Sequence, residues 1–167
     1  MKTQKIGNKT MSGKIKKEED TIMEEKEIKF TVEKIVTVED MEDIFTTAVE
    51  SGYDGIGYWC VLDNTTDSWK KAVKSLKEKG VETYWGTVMA KVVLNGDKIR
   101  FYDAEADENH LEPDEIWYLG MEEFQQGCRL YEQNRGSLTK NLEDGNFDAV
   151  EADCFMQYCL FGELVFG

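Results

Sequence analysis

The sequence predicts an α+β fold: a small mixed or antiparallel sheet, about four helices and a disordered N-terminal tail. Three observations carry this. Helix-spaced and strand-alternating apolar patterns follow one another as β-α-β-α-β-β-β-α-α-β, with one adjacent hairpin and no repeating βαβ unit. The 167 residues are 41% apolar, enough for one core, and their helix and strand patterns alternate without a long structureless gap that would divide two domains. Residues 1–27 are rich in lysine and glutamate and lack apolar periodicity, which predicts disorder. The folded domain is therefore expected over residues 28–167, with Met11 and Met23 as alternative starts inside the tail.

Ile28 to Val36 is β-branched and roughly alternating, a first strand. Thr37 caps a helix, with Asp40 positioned to answer as the acidic half of a capping box. Met41, Ile44, Phe45, Ala48 and Val49 form its buried stripe, and Gly52 suits its stop. The glycine-spaced segment Gly52 to Cys60 leads into a buried strand, Tyr58 to Leu62. Thr66 or Asp67 opens a second helix with Trp69, Ala72, Val73 and Leu76 on one face, ending at Gly80. Its lysines, Lys70, Lys71, Lys74, Lys77 and Lys79, form the one basic surface of the domain.

Thr83 to Leu94 and Lys98 to Tyr102 flank Asn95-Gly96, a pair that tolerates the positive φ angles of a type I′ turn, so a hairpin is expected there. Asp103 to Glu112 reads as an acidic loop, followed by Pro113 and a short strand from Glu115 to Leu119. A third helix starts near Gly120 with Met121, Phe124, Cys128 and Tyr131 on its apolar face, and Gly136 to Gly145 reads as a polar loop. Asp148 with Glu151 is the strongest helix start in the chain. The helix over 149–161 is apolar on nearly every side and is expected at the centre of the core. Gly162 ends it, and Leu164 to Phe166 are expected as a last short strand.

Charge narrows the function classes. The net charge is −14, although the first twenty residues hold six lysines against Glu18, Glu19 and Asp20. Between Arg100 and Arg129 stand nine acids without a lysine or arginine. Such a field repels nucleic acid and anionic membranes and attracts basic grooves. No apolar run approaches the roughly 20 residues that span a bilayer, and the basic N-terminus is not followed by an apolar signal stretch. Cys60, Cys128, Cys154 and Cys159 sit among apolar neighbours and form no C-x-x-C pair. They read as reduced core thiols of a cytoplasmic protein.

Catalytic chemistry finds little to work with. His110, the only histidine, lies in the acidic loop, remote from any serine or cysteine in a nucleophile motif. Gly52, Gly55 and Gly57 lack the following helix that would aim its amides at a phosphate. Cys154 and Cys159, five apart on a helix, are separated by about 500° of rotation and cannot share a tetrahedral zinc. Asp103, Glu105 and Asp107 alternate like calcium ligands, but the sixth and twelfth positions hold Glu108 and Asp114 where an EF-hand needs Gly and Glu. The expectation is a protein that is not an enzyme and uses no cofactor or metal.

Paired aromatics on strands, such as Trp117-Tyr118, must alternate faces, so one of each pair points away from the core. Outward aromatics beside carboxylates have the composition of a binding surface. The expected partner-binding residues are Asp103, Glu105, Asp107, Glu108, Glu112, Asp114, Glu115 and Trp117.

Tyr58-Trp59-Cys60, Lys98 to Glu105 and, above all, Asp148 to Gly167 (DAVEADCFMQYCLFGELVFG) resemble a group of small acidic proteins of phages and prophages of Gram-positive bacteria. The type II-A anti-CRISPR proteins, inhibitors of Cas9, are similar to this group. The resemblance runs from about residue 30 to the C-terminus and implies an anti-defence protein. Its expected partner has a basic nucleic-acid-binding groove, as Cas9 has. It would act as a DNA mimic through its acidic surface, without binding nucleic acid or membrane itself. The alternatives are a self-assembling accessory phage protein, for which a homodimer is one form, and a small-molecule-binding domain walled by Gly52 to Cys60.

Overall fold

The computed structural model describes residues 32–167. The expected disordered tail, and Ile28 to Thr31 of the expected first strand, lie outside these residues. A compact unit runs from Glu33 to Gly167. Its elements are α1 (Val38–Glu50), β1 (Cys60–Leu62), α2 (Asp67–Glu78), α3 (Trp85–Leu94), β2 (Ile99–Asp103), β3 (Ile116–Leu119), α4 (Met121–Asn134), α5 (Leu138–Glu143) and α6 (Ala149–Phe161). The fold is α+β, with six α-helices and a three-stranded antiparallel sheet in the order β1-β2-β3. No helix among the described residues is long and apolar enough to cross a membrane.

Capping fixes the helix starts where the sequence placed them. Thr37 and Asp40 exchange side-chain bonds with each other's amides at the head of α1. Thr66 caps α2 through the amide of Trp69. Asp148 accepts from both Val150 and Glu151 to start α6, and Gly162 ends that helix at φ 77°. Each such cap satisfies main-chain donors that the helix cannot.

The core lies between α1, α3, α4 and α6, with the inner face of the sheet against it. α6 is the central element: every residue from Ala152 to Cys159 is buried. Two glycines set the closest approaches. A Cβ on Gly86 would stand 2.1 Å from Thr46 Oγ1 and 2.3 Å from Glu42 O, so α3 can lie against α1 only without one. A Cβ on Gly127 would stand 2.2 Å from Cys159 Sγ, which seats α4 on α6.

Five expectations are corrected. The segment Thr83 to Leu94 is not the first arm of a hairpin; Trp85 to Leu94 form α3, buried from Gly86 through Val93 at six positions. Asn95-Gly96 closes that helix: Gly96 N–H reaches Val93 O, Asp97 N–H reaches Val92 O, and Gly96 takes φ 80°. This is a Schellman cap, which asks for the same left-handed glycine as a tight hairpin turn. β2 pairs instead with β1 and β3, across long connections. Val32 to Thr37 have no regular structure, so no strand forms over Val32 to Val36; Lys34 is drawn to Glu132 and Ser137.

Of Tyr58 to Leu62, only Cys60 to Leu62 are strand, because Ile56 to Tyr58 wind into a 3₁₀ turn. Gly136 to Gly145 hold a further helix, α5, which Ser137 caps and Leu138 anchors in the core. Leu164 to Phe166 are not a strand. Gln157, fully buried on α6, accepts from the amides of Val165 and Phe166 and donates to Phe166 O, so one side chain takes the role a neighbouring strand would have.

Candidate binding surface

Register assigns the two faces of the sheet. Ile99, Phe101, Trp117 and Leu119 occupy one face, with Ile99 opposite Leu119 and Phe101 opposite Trp117. Ile99, Phe101 and Leu119 are buried against the helices. The alternate positions, Val61, Arg100, Tyr102, Ile116 and Tyr118, fall on the outer face, where all are half-buried or exposed. At its centre Arg100 Nη1 meets Asp63 Oδ2 at 2.6 Å. Burial pushes the Asp63 carboxyl up, but hydrogen bonds from Thr65 and the Arg100 guanidinium outweigh it and hold the group below its usual range.

The link between β2 and β3 is the acidic loop, and its carboxylates divide by role. Asp103 accepts from the Glu105 amide at 2.8 Å, and Asp107 accepts from the Asn109 amide at 3.0 Å and from the His110 ring at 3.2 Å. The Asn109 bonds first, and His110 after them, hold Asp107 below the ordinary carboxylate range. Glu112 and Glu115 cap each other around a short 3₁₀ turn at Pro113. Four of the eight predicted residues, Asp103, Asp107, Glu112 and Glu115, thus shape the loop or its exit. Glu105, Glu108 and Asp114 are exposed and form no ion pair among the described residues. Glu108 lies close enough to the outer face that, after burial, it is the next cause lifting the Tyr102 phenol above its ordinary value.

Trp117 belongs elsewhere. Its ring lies 5.1 Å from Phe161 and 5.8 Å from Trp59, in an aromatic cluster under the sheet. The outward aromatic of that pair is Tyr118, 50% exposed. The reason is phase: Leu119 is fully buried, so Trp117 shares its face and Tyr118 does not. The sequence reading placed Trp117 outward; the apolar pairs Ile99/Phe101 and Trp117/Leu119, taken in alternation, are the signal that puts Tyr102 and Tyr118 on the outer face instead.

A second surface lies along β1. Val49, Glu50, Ile56, Gly57, Cys60, Val61, Leu62 and Trp85 line a groove of about 360 Å³ between α1, α3 and the strand. The indole of Trp85 is 40% exposed and rests 5.4 Å from that of Trp69. Tyr84, beside it, is 61% exposed, and Glu82 and, less strongly, Glu50 raise its phenol above the ordinary value.

The thiols are poor nucleophiles. Burial pushes Cys60 and Cys159 well above the usual range, Cys128 up to about 11, and Cys154 upward as well. His110 is exposed and tied to Asp107. Among the described residues no three His, Cys, Asp or Glu side chains converge as a metal site would. The fold and surface thus define an α+β domain with an acidic loop beside an outer sheet face that bears Tyr102 and Tyr118. Set beside protein-family models, curated proteins and solved structures, the chain matches none.

Proposed function

We propose that this chain is a non-catalytic binding protein whose acidic β2–β3 loop and adjoining outer sheet face dock on a basic surface of a protein partner and keep nucleic acid off it. The observation that carries the reading is the juxtaposition of Glu105, Glu108 and Asp114, exposed and without ion pairs among the described residues, with Tyr102 and Tyr118 on the outer face. Carboxylates on a loop folded by its own turns offer a basic groove the charge it otherwise takes from phosphates, and tyrosines supply contact area at low entropic cost. A folded scaffold already holds the loop, so little ordering opposes binding. The finer reading names the partner as a nucleic-acid-processing enzyme of the Cas9 kind, and the sequence resemblance supports it.

The test is Cas9 cleavage of a target duplex with increasing amounts of the full chain. Wild type lowers cleavage, and a variant carrying Glu105→Gln, Glu108→Gln and Asp114→Asn does so about tenfold less effectively, since each exposed charge contributes a few tenths to about 1 kcal/mol. No inhibition by wild type rejects Cas9 as the partner. Inhibition equal in both rejects the acidic surface.

A further inference from the structure

We infer that the groove between α1, α3 and β1 is a binding site for a small organic cation, an alkylated ammonium joined to an apolar or aromatic group. Its volume of about 360 Å³ falls inside the range of about 300–1,000 Å³ usual for ligand pockets. Base and mouth differ in chemistry. Ile56 and Cys60 are buried at the base and, with Val49, offer an apolar bed. At the mouth stand the exposed Glu50 and the indole of Trp85, which rests on Trp69 and stays 40% exposed. Tyr84 precedes it in the chain, and Glu82 first, then Glu50, raise the Tyr84 phenol above its ordinary value. Two carboxylates and two exposed rings therefore share one rim.

Charge and aromatic faces select the ligand. Neither Glu50 nor Glu82 takes part in an ion pair among the described residues, so both charges are available. Indole and phenol rings present negative faces, which attract a cation most strongly where apolar surroundings strip its water. Lys77 comes beside Tyr84 in the neighbouring hollow with Val81, yet the groups that move the phenol are the two carboxylates. A metal ion does not suit the rim, because no three acidic, histidine or cysteine side chains converge among the described residues. A passing peptide does not suit it either: β1 is three residues long and Cys60 is buried, so no second main chain can pair there. A free small molecule needs no such pairing. The groove does not include the acidic loop, so it stands or falls independently of the docking proposed above.

The test is a chemical-shift titration of the full chain with three probes: benzyltrimethylammonium, tetramethylammonium and benzyl alcohol. Benzyltrimethylammonium should shift the Trp85 indole N–H and the Glu50 and Tyr84 amides. It should bind about tenfold more tightly than tetramethylammonium, which lacks the ring, or benzyl alcohol, which lacks the charge. Glu50→Gln with Glu82→Gln should weaken it about threefold or more, and so should Tyr84→Leu, all at exposed positions that the fold tolerates. The Glu105→Gln, Glu108→Gln, Asp114→Asn variant should bind it as wild type does. No shift at Trp85 overturns the proposal, as does benzyl alcohol or tetramethylammonium binding as tightly as the full probe. An equal loss in the acidic-loop variant makes the attraction one of overall charge and overturns it too. A peptide bearing trimethyl-lysine that binds the rim about tenfold more tightly than benzyltrimethylammonium makes the occupant a protein side chain and overturns the small molecule.

Discussion

The indole N–H of Trp59 donates to Asp153 Oδ1 across 2.6 Å, joining the segment before β1 to the middle of α6. Asp153 is buried and no described cation pairs with it; Tyr58 OH at 3.2 Å and Gln157 Nε2 at 3.0 Å supply its other bonds. Trp59 also stacks on Phe166 at 5.1 Å, while Gln157 holds the main chain of that residue. Carboxylate, indole and amide therefore tie β1, α6 and the C-terminal segment into one unit. Trp59→Phe keeps most of the ring packing but removes one donor from a buried carboxylate. It should lower stability by about 1–3 kcal/mol in denaturant unfolding, and a change within about 0.5 kcal/mol would show that the bond is dispensable.

Phe155 is fully buried on α6 and meets the rings of Phe124, Tyr131 and Phe147. Phe155→Ala should cost about 3–5 kcal/mol, a large part of an ordinary domain's stability. A cost under about 1 kcal/mol in the same unfolding experiment would remove α6 from the centre of the core.

Gly86→Ala tests the packing of α3 on α1. On an exposed helix the substitution would be favourable, but here the new methyl meets Thr46 Oγ1 and the Glu42 carbonyl well inside contact distance. Destabilisation of about 1–3 kcal/mol is expected. A stabilised variant would show that the two helices stand further apart.

Acid should loosen the fold through specific carboxylates. The hydrogen bond from Arg135 first, then that from Tyr131, holds Glu151 below its ordinary range, and Asp63 is lowered as well. A carboxyl depressed in the folded state contributes stability that is complete above its unfolded value of about 4. That contribution is lost as pH falls through the lower folded value. Unfolding free energy should thus fall from about pH 5 downward, and Glu151→Gln should flatten the fall. An unchanged slope in the variant would assign the acid sensitivity to other groups.

What the sequence made legible followed from side chains that act locally. Thr37 with Asp40, Thr66, and Asp148 with Glu151 announce their helices because a cap is a contact over two or three residues. The run Ala152 to Cys159, apolar but for Asp153 and Gln157, announced a buried helix, leaving only its partners open. Asn95-Gly96 misled because a left-handed glycine closes a helix as readily as it turns a hairpin, and the β-branched Val88, Val92 and Val93 favour a strand. Tertiary burial against α1, through Gly86, decides for the helix. The C-terminal segment misled differently: its main chain is satisfied by Gln157, a distant side chain whose role no local pattern reveals.

The acidic loop was legible as charge but not as geometry. Composition placed nine carboxylates between Arg100 and Arg129, and only the folded chain separates those that build turns from those that face water. Glu123, for example, is taken up by Lys98 at 2.5 Å. Lys98 stands far away in sequence, beyond the reach of any local count.

The proposed attraction of Glu105, Glu108 and Asp114 for a basic protein surface is read most directly in the salt dependence of binding. Affinity of the full chain for guide-loaded Cas9 is to be measured by calorimetry from about 50 to 500 mM salt, over which the screening length shrinks below about 5 Å. Wild-type affinity should fall steeply with salt. The Glu105→Gln, Glu108→Gln, Asp114→Asn variant, equally stable, should bind about tenfold more weakly at the lowest salt and with a shallower slope. Equal affinities and parallel slopes for the two proteins would contradict it.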